Sequence, residues 1–176
     1  LLHRLAVDIA RVFGVADDLA VVRSWVALVC RTLPDLAVAL TRALHDLNAS
    51  QPSDKSASVG LVHRDFYDKQ VLLAGSRVAL LDLDTACRGH AEIDVGNFLA
   101  HLCLRGLQWD GNAARFAPAA ARFLDGYRRE RPGTSELLVR WYRAAALLRL
   151  ACVYGVRPAW RHLAPSLIEE SQYGGR

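Results

Sequence analysis

Side chains able to bind a metal ion and to orient a hydroxyl group fall within one stretch of the chain, residues 61–84. Asp65 directly follows a short apolar run, Gln70 comes five positions later, and Asp82 follows a further pair of apolar runs. If these runs are strands, two carboxylates and one side-chain amide converge at a single edge. Oxygen donors of this kind suit a hard cation such as Mg²⁺, which keeps several waters and takes few protein ligands.

A magnesium ion held in this way normally bridges the phosphates of a nucleotide. Asp65 would then be free to orient a hydroxyl nucleophile and to accept its proton late in the reaction. Phosphoryl transfer requires little more than such positioning and the neutralisation of charge. The alternative interpretation is a strand, a loop and a hairpin whose acidic side chains simply face solvent.

Three short strands are expected to position these residues. Residues 59–63, 70–73 and 77–81 are brief runs rich in aliphatic side chains. Residues 74–76, Ala-Gly-Ser, read as a tight turn, so the last two strands form a hairpin. The open end of that hairpin brings positions 70 and 82 together.

The rest of the chain has the apolar spacing of amphipathic helices. The predicted fold class is therefore α+β and mainly helical, with one small hairpin that carries the candidate catalytic and metal-binding loops. We predict a single lobe over residues 1–176, with helices close to 1–13, 17–33, 34–48, 92–105, 112–129, 135–154 and 159–170.

Local signals support two of these helix starts. Asp17 or Asp18 can cap the second helix, and Pro34 suits the first turn of the third. Residues 85–91, which contain Gly89, are expected to form a loop.

Composition excludes several classes of protein. The 176 residues are 52% hydrophobic, which is typical of a globular chain. No apolar run of about 18–20 residues lacks a charge, and the first residues lack a signal-peptide pattern, so no membrane partner is expected. The four cysteines show no paired spacing and are expected to be buried, reduced thiols, which fits a cytoplasmic location; they are Cys30, Cys87, Cys103 and Cys152.

Positive charge is concentrated in the second part of the chain. Residues 1–104 carry 10 basic and 12 acidic side chains, whereas residues 105–176 carry 12 arginines and 6 acidic side chains. The arginines are spread along predicted helices and are not interleaved with aromatic residues. Solvated helix faces are therefore a better account than a nucleic-acid-binding surface.

The order of the motifs resembles that of the aminoglycoside phosphotransferase and choline kinase-like family. That family shows His-Gly-Asp-x-x-x-x-Asn, a short hairpin, Ile-Asp-Trp, and then Gly-Asp-Pro-x-x-Asp-Leu-Ala. This chain has His-Arg-Asp-Phe-Tyr-Asp-Lys-Gln at 63–70, Leu-Asp-Leu-Asp at 81–84 and Gly-His-Ala-Glu-Ile-Asp-Val-Gly at 89–96. The resemblance covers about residues 34–105. It implies the C-terminal lobe of a protein kinase-like fold, with ATP as phosphoryl donor, Mg²⁺, and a small-molecule hydroxyl acceptor.

The resemblance implies a catalytic role for the start of residues 63–70. Asp65 takes the place of the catalytic base, which orients the acceptor hydroxyl. His63 is expected to brace the loop, and Asp94 to hold it by accepting backbone hydrogen bonds. Arg64, where the family has glycine, could reach an acidic group or a phosphate, or simply fill space.

The resemblance also implies that Gln70 and Asp82 hold Mg²⁺ and, through it, the nucleotide. Gln70 replaces the family's asparagine, so its amide oxygen stands one methylene further out. This departure leaves open a second interpretation, in which the chain is a non-catalytic kinase-like binding module.

Two parts of a complete kinase are missing from the sequence. There is no glycine-rich phosphate loop, and the only lysines, Lys55 and Lys69, lie in predicted loops. We therefore expect an N-terminal nucleotide-binding lobe to lie outside this chain, and the chain alone to bind ATP·Mg²⁺ weakly without turnover. Because arginine exceeds acid over the helices expected to cover the substrate, residues 112–170, a sugar-like acceptor is favoured over a polycationic aminoglycoside.

Overall fold

The structure is a computed structural model that describes residues 2–5, 11–53, 57, 59–75 and 77–173. Six α-helices and four short strands make up the described parts, which confirms the α+β, mainly helical class. Short 3₁₀ turns lie at Leu2–Arg4, Asp68–Gln70 and Pro158–Leu163. In chain order the elements are α1 (Val15–Thr32), α2 (Pro34–Ala49), β1 (Val59–Val62), β2 (Val71–Ala74), β3 (Arg77–Leu80), β4 (Cys87–His90), α3 (Glu92–Asp110), α4 (Ala117–Glu130), α5 (Glu136–Gly155) and α6 (Ala164–Tyr173).

Helix α5 forms the centre of the core. Its sequence is apolar on nearly every side, as expected of a helix enclosed by others, and α1, α2, α3 and α6 pack around it. Tyr142, Leu147 and Leu148 are fully buried. The indole nitrogen of Trp141 donates to the Leu47 carbonyl at 3.1 Å, which ties α5 to the end of α2. Among the described helices, none is both long and apolar enough to cross a membrane.

The helix starts follow local chemistry. Pro34 begins α2, and the Ser135 hydroxyl caps α5 by accepting from the Leu138 amide. The expected cap of α1 was wrong, because Gly14 occupies the cap position. The Asp17 carboxylate instead accepts from the Gly14 amide at 3.0 Å, which is the reciprocal half of a capping box.

The strands form two antiparallel pairs. Strands β2 and β3 form the expected hairpin, with Val71 opposite Leu80 and Ala74 opposite Arg77. Both strands are largely exposed, and apolar side chains point to solvent from each; Leu73 is 74% exposed and Val78 is 64% exposed.

Strand β1 pairs with β4, which lies in residues predicted to be a loop. That prediction was wrong because Cys87–His90 has weak strand propensity of its own, and its extended form comes from tertiary pairing. Phe13 bridges to Gly89 on the other side of β4, with its amide donating to the Arg88 carbonyl at 2.9 Å. The predicted α-helix over 1–13 is reduced to a single 3₁₀ turn at Leu2–Arg4, and Phe13 is extended; residues 1 and 6–10 lie outside the described parts.

Two further helix boundaries differ from the predictions. Helix α3 continues beyond residue 105 and ends at Gly111, which has a φ of 76°. Helix α4 begins at Ala117 because the preceding residues form turns, in which the Asn112 side chain accepts from the Ala114 amide at 3.0 Å.

A close helix contact at Gly96 sets the position of α3 against α5. A Cβ atom at Gly96 would lie 2.6 Å from the Arg143 nitrogen and 2.7 Å from the Tyr142 Cβ. We therefore expect Gly96→Ala to lower the free energy of unfolding by about 1–3 kcal/mol, measured by urea denaturation. The control is Gly126→Ala on α4, where the nearest side-chain atom would be 3.7 Å away. Greater helix propensity should make that change neutral or stabilising, and equal losses in both variants would contradict the close-contact explanation.

Candidate active site

The loop after β1, residues 63–70, is held to the first turn of α3 by Asp94. One carboxylate oxygen of Asp94 accepts from the His63 amide at 2.7 Å, and the other accepts from the Arg64 amide at 2.7 Å. The His3 ring nitrogen Nε2 lies 2.8 Å from the same carboxylate. Asp94 is 2% exposed, so these three groups satisfy a carboxylate that would be costly to bury alone.

His63 ties this loop to the residues that follow β3. Its fully buried ring donates from Nε2 to the Leu81 carbonyl at 2.7 Å. Because a carbonyl only accepts, the ring proton is on Nε2, and Nδ1 has no hydrogen-bond partner among the described residues. The Thr85 hydroxyl donates to the His63 carbonyl at 2.8 Å. This geometry is that of a brace between two loops.

Gln70 and Asp82 meet at the open end of the hairpin. The Gln70 side-chain amide donates to Asp82 Oδ2 at 3.3 Å, and the Leu81 amide donates to the Gln70 carbonyl at 3.0 Å. Asp82 is exposed and has a φ of 57°, a left-handed conformation that non-glycine residues adopt at a cost. The chain therefore leaves the extended conformation of β3 at Asp82.

The donor set at this end fits magnesium. Among the described residues, no three His, Cys, Asp or Glu side chains gather into a ready metal site. Mg²⁺ does not need such a cage, because it is commonly held by one or two carboxylates together with substrate phosphates. Asp82 supplies an exposed carboxylate. The Gln70 amide beside it would become a second ligand if it turned its oxygen outward, since its N–H faces Asp82 here.

Arg64 occupies the position at which the family pattern has glycine, and its backbone explains that pattern. Its φ is 67°, in the region that glycine enters without steric cost. Its guanidinium lies over the Phe13 ring, 3.9 Å from the centroid. The side chain therefore packs on an aromatic face, which is a favourable cation–π arrangement.

The left-handed backbone at position 64 can be tested by comparing two truncations. Arg64→Gly and Arg64→Ala both remove the contact with Phe13, but only glycine relieves the backbone. A residue with a side chain pays about 1–2 kcal/mol to adopt the left-handed conformation. Glycine avoids this cost but loses more backbone entropy on folding. Arg64→Gly should therefore be about 0.5–1 kcal/mol more stable than Arg64→Ala in urea denaturation. An alanine variant as stable as the glycine variant would contradict the assigned backbone conformation.

The Asp65 carboxylate lines a cavity of about 270 Å³ beside the loop. It makes no hydrogen bond with another described residue. We call this space the Asp65 cavity. Three helices form its opposite walls, with Asp18 and Trp25 on α1, Asn97 on α3 and Arg149 on α5. None of these four was predicted to be a site residue, and Asp18 was named only as a possible helix cap.

Asn97 and Arg149 link the cavity wall to the loop. An Arg149 N–H donates to the Asn97 side-chain oxygen at 2.7 Å, and the Asn97 side-chain amide donates to the Phe66 carbonyl at 3.0 Å. A sequence signal for Asn97 existed, because it lies three positions after Asp94 and therefore on the same helix face. Arg149 was detectable only as the one charged side chain in the otherwise apolar residues 144–155 of α5.

The side chains of the loop pack onto α3. The Phe66 ring stacks on Phe98 with centroids 5.1 Å apart, and the Tyr67 ring stacks on His101 at 4.4 Å. Burial, together with the nearby Arg149, lowers the pKa of His101 to about 3, so this ring is neutral near pH 7. The loop thus rests on apolar and uncharged rings.

Comparison with known proteins identifies the family to which this arrangement belongs. The model of the phosphotransferase enzyme family matches residues 2–137, which is more than half of the chain. The chain belongs to the phosphotransferase enzyme family. No curated protein sequence matches it.

Solved structures share the fold of this phosphotransferase family chain. A candidate aminoglycoside phosphotransferase from Ralstonia eutropha JMP134 superposes with a TM-score of 0.64 at 18% identity, over 88% of this chain and 54% of that one. A glucosamine kinase superposes with a TM-score of 0.55 at 22% identity, over 90% of this chain and 42% of that one. The chain therefore spans about half the length of the structures that it matches, and identities this low establish the fold alone.

Proposed function

We propose that the chain is the acceptor- and metal-binding lobe of an ATP-dependent phosphotransferase that acts on a hydroxyl group of a sugar-like small molecule. The observation that carries this proposal is the Asp65 carboxylate. This carboxylate lines a cavity and has no hydrogen-bond partner among the described residues. The loop that carries it is held in place by Asp94 and His63. A fixed loop that presents a free carboxylate is what an orienting base requires.

In the proposed reaction, Asp65 accepts a hydrogen bond from the acceptor hydroxyl and aligns its oxygen with the γ-phosphorus. A bond forms between that oxygen and phosphorus while the bond from phosphorus to the bridging oxygen of ADP breaks. The hydroxyl proton passes late to Asp65, and ADP leaves with the electron pair. Asp82 and Gln70 would hold Mg²⁺, which neutralises charge on the phosphate oxygens when bound.

The size of the cavity favours a sugar-like acceptor. A volume of about 270 Å³ lies just below the range of about 300–1,000 Å³ that encloses drug-sized ligands. Two of the matching solved structures are named for an aminoglycoside and for glucosamine, both of which contain sugar rings. A single ring suits this cavity better than several linked rings do.

Nucleotide binding in this proposal needs a phosphate-covering lobe outside this chain. This part of the proposal is based on two features of the sequence. It contains no glycine-rich loop, and its only two lysines lie in predicted loops. The 176-residue lobe would supply the acceptor side and the metal side of the reaction.

A second candidate function is a kinase-like module that binds a ligand without transferring phosphate. The contact between Gln70 and Asp82 favours it, because the amide there presents N–H rather than oxygen to the carboxylate. Turnover requires that this contact open so that both oxygens can bind metal.

The assay that separates the two functions follows ³¹P signals in mixtures of ATP, Mg²⁺ and an acceptor. It is run with the 176-residue chain and with the complete product of its reading frame, using D-glucose, D-glucosamine, choline and kanamycin as acceptors. We expect Mg²⁺-dependent ADP and a sugar phosphate from the complete product, and little turnover from the chain alone. Binding of an acceptor without any phosphate transfer would support the module, and a preference for kanamycin would refute the sugar-like acceptor.

A further inference from the structure

One face of α1 lines the Asp65 cavity. Asp18, Val21 and Trp25 are spaced at i, i+3 and i+7, so their side chains lie along the same side of the helix. Arg149 reaches the cavity from α5. We propose that Asp18, Trp25 and Arg149 select the acceptor, and that they select a single uncharged sugar ring. This inference rests on the proposed function, because it takes the Asp65 cavity to be the acceptor site.

Asp18 is an unused hydrogen-bond acceptor in the cavity wall. Its carboxylate makes no hydrogen bond or ion pair with another described residue. Burial raises the pKa of Asp18, and the positive charges of Arg149 and Arg64 act in the opposite direction. The neighbouring Asp17 contrasts with it, because that carboxylate is engaged by the Gly14 amide and by Arg11. A partly buried carboxylate without a partner is costly unless a ligand supplies one.

Arg149 supplies the complementary donors. A guanidinium carries five N–H groups, and the bond to Asn97 uses one of them. Vicinal sugar hydroxyls each donate one hydrogen bond and accept others. A carboxylate and a guanidinium on facing helices can therefore engage two adjacent hydroxyls at once, with Asp18 accepting and Arg149 donating.

Trp25 supplies an apolar surface for the ring. Its indole is partly buried beside Val21, and both side chains line the cavity. The C–H face of a sugar ring packs well on such a surface, while its hydroxyls point outward to the polar groups. An acceptor without a ring, such as an open-chain amino alcohol, would leave this surface uncovered.

The charge of the wall argues against selection for a cation. Asp18 and Asp65 contribute two negative charges, and Arg64 and Arg149 contribute two positive charges. With both carboxyl groups ionised these side chains sum to zero, and the raised pKa of Asp18 can only make the wall more positive, so a cationic acceptor gains no net attraction from it. Neutral sugars should bind at least as well as their amino derivatives.

The test measures sugar binding directly, by isothermal titration calorimetry and by saturation-transfer NMR, with D-glucose, D-galactose, D-ribose and D-glucosamine as probes. The complete product of the reading frame is used without nucleotide. We expect Asp18→Asn and Trp25→Ala each to weaken the Kd of the best neutral sugar by about tenfold or more, as expected for loss of a charged hydrogen bond or of a packed aromatic face.

Matched controls exclude general effects of the substitutions. Asp17→Asn makes the same change of charge one residue away and should leave the Kd within about twofold, because its carboxylate binds backbone outside the cavity. Trp109→Ala removes an indole that is 71% exposed at the far end of α3 and should also leave the Kd unaltered. In each variant, far-ultraviolet circular dichroism and urea denaturation establish that the fold is retained.

The outcomes separate this inference from the proposed function. Phosphate transfer to non-sugar alcohols, with no sugar bound, would overturn the inference and leave the phosphotransferase standing. Sugar binding that depends on Asp18 and Trp25, with no phosphate transfer under any condition, would support the inference and overturn the function. Binding of D-glucosamine more than tenfold tighter than D-glucose, with the difference abolished by Asp18→Asn, would show an ammonium site and overturn the selection of an uncharged ring.

Discussion

Replacing Asp65 by asparagine should reduce phosphoryl transfer by about a thousandfold. The side chain keeps its shape and its place in the cavity wall but can no longer accept the hydroxyl proton. Because the Asp65 carboxylate has no hydrogen-bond partner among the described residues, the free energy of unfolding should hardly change. Initial rates of sugar phosphate formation in the complete product of the reading frame check the first expectation, and urea denaturation checks the second.

The control for Asp65 lies three residues further along the same loop. Asp68 pairs with Arg105 at 3.1 Å and does not line the Asp65 cavity. Asp68→Asn should therefore retain activity within a few fold. A loss of less than threefold in Asp65→Asn, or equal losses in both variants, would remove Asp65 from the catalytic role.

Replacing Asp94 by alanine should lower the free energy of unfolding by about 3–5 kcal/mol. The substitution leaves the amides of His63 and Arg64 without their acceptor and removes one of the two hydrogen bonds of the His3 ring. Asp94→Asn keeps one acceptor oxygen, so its loss should be smaller. Urea denaturation followed by circular dichroism measures both, provided that the slope with denaturant is unchanged.

A surface carboxylate provides the comparison for Asp94. Asp35 is exposed and bonds Arg161 at 2.8 and 2.9 Å, and exposed pairs of this kind contribute about 0–1 kcal/mol. Asp35→Ala should fall in that range. If Asp94→Ala cost no more than Asp35→Ala, the loop would not depend on Asp94 for its position.

Sequence reasoning succeeded where local chemistry decides the structure. Apolar periodicity located α1, α2 and α5, and Pro34 begins α2 as expected. The hairpin was readable because a turn separates two aliphatic runs, and it brings Gln70 and Asp82 into contact. Each of these features depends on residues close together in the chain.

The features that the sequence did not predict are those whose structure depends on elements distant in the chain. Strand β4 is extended because β1 and Phe13 flank it, and a Cβ at Gly89 would lie 2.8 Å from a Val62 methyl group. The sequence predicts only a loop that contains this glycine, whereas close packing against Val62 is what requires a residue without a side chain there. Asp18 and Arg149 were missed for the same kind of reason, because only the packing of α1 and α5 brings them to one cavity.

The β2–β3 hairpin leaves apolar side chains and strand edges open to solvent. Leu73 and Val78 are largely exposed, and within the described parts each of these strands pairs only with the other. Unpaired strand edges beside apolar side chains are sites at which chains associate with one another. Concentrated solutions of the 176-residue chain should therefore be prone to aggregation, and its colloidal behaviour will depend on what shields this hairpin during synthesis and purification.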